Sequence, residues 1–162
     1  MSGNGILRVT FLVAGVGLLA AAVAEAANGP YNFYSVTPCR IVDTRKAAGV
    51  TGGPALSAGS ERNFPISAAA AGCGLPSTAT AATLNVTMVG PTKPGFLSFW
   101  PYGTTRPSPL VSTINANAGE PAIANGLIVS LTADPSFNIT TIYGAGAGGT
   151  CNIIIDVTGY FQ

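Results

Sequence analysis

Histidine is absent from the 162 residues, and charge is nearly so: seven Lys and Arg and six Asp and Glu make up 8% of the chain, against roughly a quarter in an average soluble domain. The formal net charge of +1 therefore reflects scarcity of ions. Six scattered Lys and Arg after residue 26 form no basic stripe, which argues against nucleic acid as a partner. The three cysteines, Cys39, Cys73 and Cys151, lack Cys-x-x-Cys spacing, so with no His a zinc site is not expected. No Asp-rich loop offers calcium its clustered oxygens. Metal sites and cofactors are accordingly assigned to no residue.

The same shortages bear on catalysis. A serine nucleophile would need Lys as its base, yet Lys46 and Lys93 lie in loop-like sequence without a Ser-x-x-Lys arrangement. A glycosidase needs two carboxylates flanking the scissile bond. After residue 26 only Asp43, Glu61, Glu120, Asp134 and Asp156 could serve, and none lies in a catalytic motif. The expectation is a non-enzyme with no catalytic residues.

What is present is apolar residues, at 48%, with 21 Gly and 12 Pro. Frequent turns and no long helix follow. Residues 1–28 have the layout of a targeting segment: Arg8, an apolar run from Val9 to Val23, then Ala24-Glu25-Ala26 with small residues about a cleavage position. The run is short for a bilayer span of about 20 residues. Ile6 and Leu7 lengthen it behind an Arg8 able to snorkel, so a tether from Ile6 to Ala24 is the alternative to a cleaved signal peptide. Either outcome places the body, residues 29–162, in an extracytoplasmic space: periplasmic, cell-surface or secreted. In an oxidising compartment one disulfide and one spare thiol are expected. Cys39 with Cys73 is the preferred of three open pairings.

After residue 28 the chain reads as short strands punctuated by Gly, Pro, Asn and Ser. Strands are expected near Tyr31–Val36, Arg40–Thr44, Arg62–Ile66, Ala81–Val89, Gly95–Trp100, Leu110–Asn115, Gly126–Thr132, Phe137–Tyr143 and Asn152–Phe161. Leu84, Val86 and Met88 alternate with Asn85 and Thr87, and Leu127, Val129 and Leu131 alternate likewise, so these sets should face a core. Ile153, Ile154, Ile155 and Val157 are apolar on both faces, as in a strand in mid-sheet. Ala47–Ser60 and Ala68–Gly74 read as surface loops. The expected fold is all-β: an antiparallel β-sandwich, Ig-like or jelly-roll-like, preceded by one N-terminal hydrophobic helix.

A set of ordered motifs spans residues 36 to 161. Val36-Thr37-Pro38-Cys39-Arg40-Ile41-Val42-Asp43-Thr44-Arg45 opens it and Gly72-Cys73-Gly74-Leu75-Pro76 follows. Then come Leu84-Asn85-Val86-Thr87, Gly95-Phe96-Leu97-Ser98-Phe99-Trp100-Pro101, Ser112-Thr113-Ile114-Asn115, Ala124-Asn125 and Ile155-Asp156-Val157-Thr158-Gly159-Tyr160-Phe161. In this order and spacing the chain resembles a widespread, mostly uncharacterised bacterial exported β-sandwich module, found singly or in tandem in secreted and cell-surface proteins. The resemblance implies a module attached to enzymes or adhesins, or an accessory part of a surface assembly. It also implies a Cys39–Cys73 disulfide, whereas Cys151 departs from the family pattern.

Arg40, Asp43 and Arg45 crowd three charges into six residues. Two apart on a strand, Asp43 and Arg45 should share a face and Arg40 the other. Asp156 sits among apolar neighbours, and buried carboxylates are usually paired. A structural ion cluster of Arg40, Asp43, Arg45 and Asp156, tying the first strand to the last, is the economical reading. Loss of one partner of a fully buried pair costs about 3 to 5 kcal/mol. Tyr34, Trp100 and Tyr102 are candidate binding aromatics for a carbohydrate, although core packing is the default for a strand Trp. A surface poor in ions is easily desolvated. The expectation is a structural or interaction module whose partners are other protein subunits at the cell envelope, with a carbohydrate-binding module as the alternative.

Overall fold

The computed structural model describes residues 30–134 and 136–162. The expected signal peptide or tether, and its helix, lie outside the described residues. Contacts define one compact unit from Tyr31 to Gln162, built of two antiparallel sheets. The strands are β1 (Phe33–Asp43), β2 (Leu56–Ser57), β3 (Glu61–Phe64), β4 (Ala81–Val89), β5 (Gly95–Pro101), β6 (Ile114–Ala116), β7 (Ala122–Ser130), β8 (Ile139–Ala145) and β9 (Thr150–Phe161). One sheet runs β1-β9-β4-β7, with β2 also paired to β9, and the other runs β3-β8-β5-β6. This is a β-sandwich.

Strand β4 shows why the layers form. Ala82, Leu84, Val86 and Met88 are buried, while Thr83, Asn85 and Thr87 between them are half-buried on the opposite face. A period of two puts every second side chain into the interlayer core. Facing them from the second sheet are Phe64, Leu97, Ile139 and Tyr143. In β9, Ile153, Ile154, Ile155 and Val157 are all buried, and the strand lies between β1 and β4. Gly159 near its end permits a close approach: a Cβ there would come within 2.5 Å of the Phe33 ring and 2.8 Å of the Tyr34 carbonyl oxygen. Phe33 covers the bare glycine backbone, much as an aromatic residue rescues a strand glycine.

Several expected boundaries move. Tyr31–Val36 and Arg40–Thr44 are parts of one strand, β1, whose register breaks between Ser35 and Cys39, where Pro38 has no N–H to offer the ladder. The Leu110–Asn115 strand shrinks to β6, because Pro107 and Pro109 just upstream cannot sustain pairing. A short helix, α1 (Ile66–Ala69), and a 3-10 turn at Ala71–Cys73 replace the end of one expected strand and most of the loop expected at Ala68–Gly74. The Ala47–Ser60 loop contains β2, whose Leu56 is buried and pairs with Cys151.

Candidate functional site

The opening and closing motifs are spatial neighbours, since β1 and β9 form one antiparallel ladder in which Arg40 faces Asp156. Arg40 donates through Nε to Asp156 Oδ1 at 2.9 Å and through Nη2 to Oδ2 at 3.3 Å. Arg45 closes a second fork on Asp43, with Nε to Oδ1 and Nη2 to Oδ2 both at 2.8 Å, and the Arg45 backbone N–H adds a bond to Oδ1 at 3.2 Å. Forked pairs of this kind fix orientation as well as charge.

The face assignment expected for Arg40 is wrong, and a register shift between Arg40 and Val42 is the reason. Asp43 is opposite Ile154 and Arg40 opposite Asp156. Ile154 and Asp156 are two apart on β9 and share a face, so the extra residue Ile41 returns Asp43 to the side of Arg40. Arg40, Asp43 and Asp156 therefore lie on one face, away from the interlayer core, and Arg45, in the turn after β1, reaches back to Asp43 there. The two pairs differ in exposure: the Asp43 side chain is 6% exposed and Asp156 21%, while both arginines are nearly half exposed. The hydrogen bond from Arg45 holds the Asp43 carboxyl down to about 2 against some opposition from burial, and the hydrogen bond to Asp156 raises the Arg40 guanidinium further.

Within the second fork, between Asp43 and Arg45 in the chain, lies Thr44, which sequence reasoning did not single out. Its Oγ1 donates to Asn152 Oδ1 at 3.0 Å and accepts the Ile153 N–H at 2.9 Å, and its own N–H donates to the Ile153 carbonyl at 3.0 Å. A third link comes from the Cys39–Cys73 disulfide, with Cα atoms 5.9 Å apart, which ties β1 to the 3-10 turn. The opening motif is thus stitched both to the Cys73 motif and to the closing motif more than a hundred residues away. Cys151 is a free, buried thiol, pushed by burial up to about 12.

A second centre missed in the sequence is Arg62 on β3. Its guanidinium donates to the carbonyls of Gly49 at 3.0 Å and Gly53 at 3.3 Å, and also to those of Gly52 and Pro54. It also lies 5.0 Å from the centroid of the Phe64 ring. Burial lowers its pKa. One cation thereby holds most of a Gly-rich loop whose composition alone suggested mobility. A lone arginine on the strand that follows a Gly-rich loop was the available signal. Asn138 acts similarly: buried, it accepts the Ser67 N–H at 2.7 Å and donates to the Thr132 carbonyl at 2.9 Å.

The candidate aromatics do not form one platform. Tyr34 is 44% exposed and stacks on Tyr160, with ring centroids 5.1 Å apart. Tyr102 is half-buried against Phe137 at 5.4 Å. Trp100 is only 4% exposed, so its candidacy as a binding surface is corrected. Its register partner is Thr140, opposite in face to the core-packed Phe99. The Pro-rich β5–β6 connection crosses that outer face: Arg106 within it reaches Glu61 on β3 at 3.6 Å, two strands away. Ser98, Thr140 and Ile142 on the same face are buried too.

Among the described residues no group of three or more His, Cys, Asp or Glu could hold a metal ion, and no helix is long and apolar enough to cross a membrane. No family model and no curated protein matches the chain. Among solved structures, a chain described as part of the cyanophage Pam1 capsid asymmetric unit is similar at 16% identity and a TM-score of 0.32, over 92% of this chain and 99% of that one. A likeness at that score bears on neither fold nor function.

Proposed function

We propose that the chain is a jelly-roll β-sandwich that works outside the cytoplasm as a non-enzymatic structural or interaction module, an accessory subunit of an envelope assembly. The jelly-roll assignment is supported by the strand order: leaving out β2, the two layers β1-β9-β4-β7 and β3-β8-β5-β6 are the arrangement two Greek keys generate from eight strands. Export is supported by the layout of residues 1–28.

One observation carries the functional reading. The ions of the opening motif are engaged by one another and by β9, and several large apolar side chains are exposed: Phe33 at 53%, Val50 at 59%, Val111 at 70% and Ile128 at 65%. Such a surface loses little on desolvation and suits contact with other subunits. The alternative, carbohydrate binding, draws on Tyr34, exposed and stacked on Tyr160, where a sugar ring could lie against the free aromatic surface.

Purification of the full chain from its native envelope separates the two readings. Stoichiometric protein partners and no retention on a glycan array are the expected result. Glycan binding abolished by Tyr34→Ala, with no protein partner, would replace the proposal with its alternative. Mass spectrometry of the same sample shows whether the chain begins at Met1 or near Ala27.

A further inference from the structure

Apart from the two-residue β2, four strands bound the two sheets, and three of them are blunted. β1 carries Pro38, the disulfide at Cys39 and two register breaks. β3 has four residues, among them Glu61 and Arg62, and β6 has three. β7 differs. Its nine residues pair with β4 in unbroken register, from Ala81 opposite Ser130 to Val89 opposite Ala122. They contain no Pro, and no charged residue occurs from Pro121 to Ala133. Long, flat, uncharged edges are what β proteins otherwise avoid, because they accept another strand.

The phase of the ladder says which backbone groups are free. Leu131 N–H donates to the Thr80 carbonyl at 2.8 Å, one step beyond the β4–β7 ladder. Antiparallel bonding alternates, so Ile123, Asn125, Leu127 and Val129 turn their backbone groups toward β4. Ala122, Ala124, Gly126, Ile128 and Ser130 turn theirs outward. The Gly126 N–H fits this phase, since it is held by the neighbouring Asn125 Oδ1 at 2.9 Å.

We propose that β7 pairs antiparallel with β7 of a second copy of this chain, about a two-fold axis at Gly126, joining the two four-strand layers into one continuous sheet. Gly126 is the midpoint of Ala122–Ser130, so that axis is the one register that uses the whole strand. It sets Ala122 opposite Ser130 and Ala124 opposite Ile128, each outward N–H facing an outward C=O. The bulky Ile128, 65% exposed, meets a small Ala124, and Gly126 meets itself. A copy of the strand brings no like charge to the edge, which makes it a self-complementary partner. On pairing, the Gly126 N–H transfers from the Asn125 side chain to the partner's backbone. The pairing goes beyond the proposed function and does not depend on which envelope proteins the module contacts.

The test is the mass of the purified full chain by light scattering over a concentration series, with nitroxide distances in Gly126→Cys and Ser130→Cys. A Cβ at Gly126 meets nothing within 4 Å. The expected result is a dimer with labels at position 126 on backbones about 5.5 Å apart and at position 130 about 27 Å apart, eight residues at about 3.4 Å each. Ala124→Pro removes an N–H outside the β4 ladder, so it should weaken dimerisation more than about tenfold with little change in melting. Ile128→Lys should act likewise and guards against misfolding of the proline variant. A wild-type monomer at every concentration, a dimer indifferent to both substitutions, or the reverse order of label distances would overturn the pairing. A monomer that retains stoichiometric envelope partners overturns the pairing alone, whereas a β7-paired dimer without such partners sustains it and counts against the proposed function.

Discussion

Arg40 grips Asp156 across the β1–β9 ladder, Nε to Oδ1 at 2.9 Å and Nη2 to Oδ2 at 3.3 Å, one residue along from the disulfide at Cys39. The fork is well formed but Arg40 is nearly half exposed, so water screens it. A double-mutant cycle of Arg40→Met with Asp156→Asn should return a coupling of about 0.5 to 1 kcal/mol that shrinks with added salt. The larger cost of a fully buried pair does not apply. Coupling above about 3 kcal/mol, insensitive to salt, would show that the pair is desolvated in solution.

Asp43 gives the fold an acid-sensitive element. Its carboxyl is held near 2, chiefly by hydrogen bonding from Arg45, against about 3.9 in an unfolded chain. A depressed carboxylate stabilises fully above the unfolded value, and that contribution disappears as pH falls through the window from about 4 to about 2. Since Arg45 is half exposed, the contribution is on the order of 1 kcal/mol. Urea unfolding of the wild type should lose this amount across that window, and Asp43→Asn should have a flatter profile. Parallel profiles for the two proteins would contradict the assignment.

The disulfide closes a loop with a sequence separation of 34 residues. In the chain-entropy picture such a link is worth about 3 to 4 kcal/mol. Reduction, or Cys39→Ser with Cys73→Ser, should lower the melting temperature by roughly 10 °C or more. Maleimide should find no reactive thiol in the native protein and one in denaturant, because Cys151 is buried with its thiol pushed up to about 12.

Arg62 makes a prediction about motion. Its bonds to Gly49 and Gly53, at 3.0 and 3.3 Å, and to Gly52 and Pro54, are all that its side chain contributes to the loop, and Lys lacks the planar fork needed to reproduce them. Limited proteolysis should cut Arg62→Ala and Arg62→Lys between Lys46 and Pro54 several times faster than wild type, with the rest of the fold intact. Equal cleavage rates would mean that the loop is held by something else.

Ser98 offers a check on burial. Its Oγ is buried without a hydrogen-bond partner among the described residues. An unsatisfied hydroxyl costs stability that an apolar replacement recovers. Ser98→Ala should therefore melt at or slightly above the wild-type temperature, and a drop of several degrees would reveal a partner for the hydroxyl.

Much of the architecture was legible because it obeys a local period. β4 was readable from Ala81 to Val89, and β9 from its apolar run Ile153–Val157, because the register shift between the two strands, at Thr83/Leu84, falls beyond that run. The face of Arg40 was not legible, because one extra residue, Ile41, inverts the alternation and nothing in its side chain announces a bulge. Trp100 looked available because strand alternation knows nothing of a connection folding back over the outer face. Arg62 and Thr44 escaped notice because their partners are backbone groups and residues over a hundred positions away, which a sequence displays only after folding.

The most direct test asks whether the charges of the opening motif act as internal fasteners. Asp43→Asn and Asp156→Asn would each be purified from the native envelope as full chains, with the melting temperature and the stoichiometry of bound partner proteins measured on the same samples. A melting temperature lower by about 3 to 5 °C, with partner stoichiometry unchanged below the transition, is the predicted result. Loss of partners, of glycan binding or of any turnover at an unchanged melting temperature would contradict it.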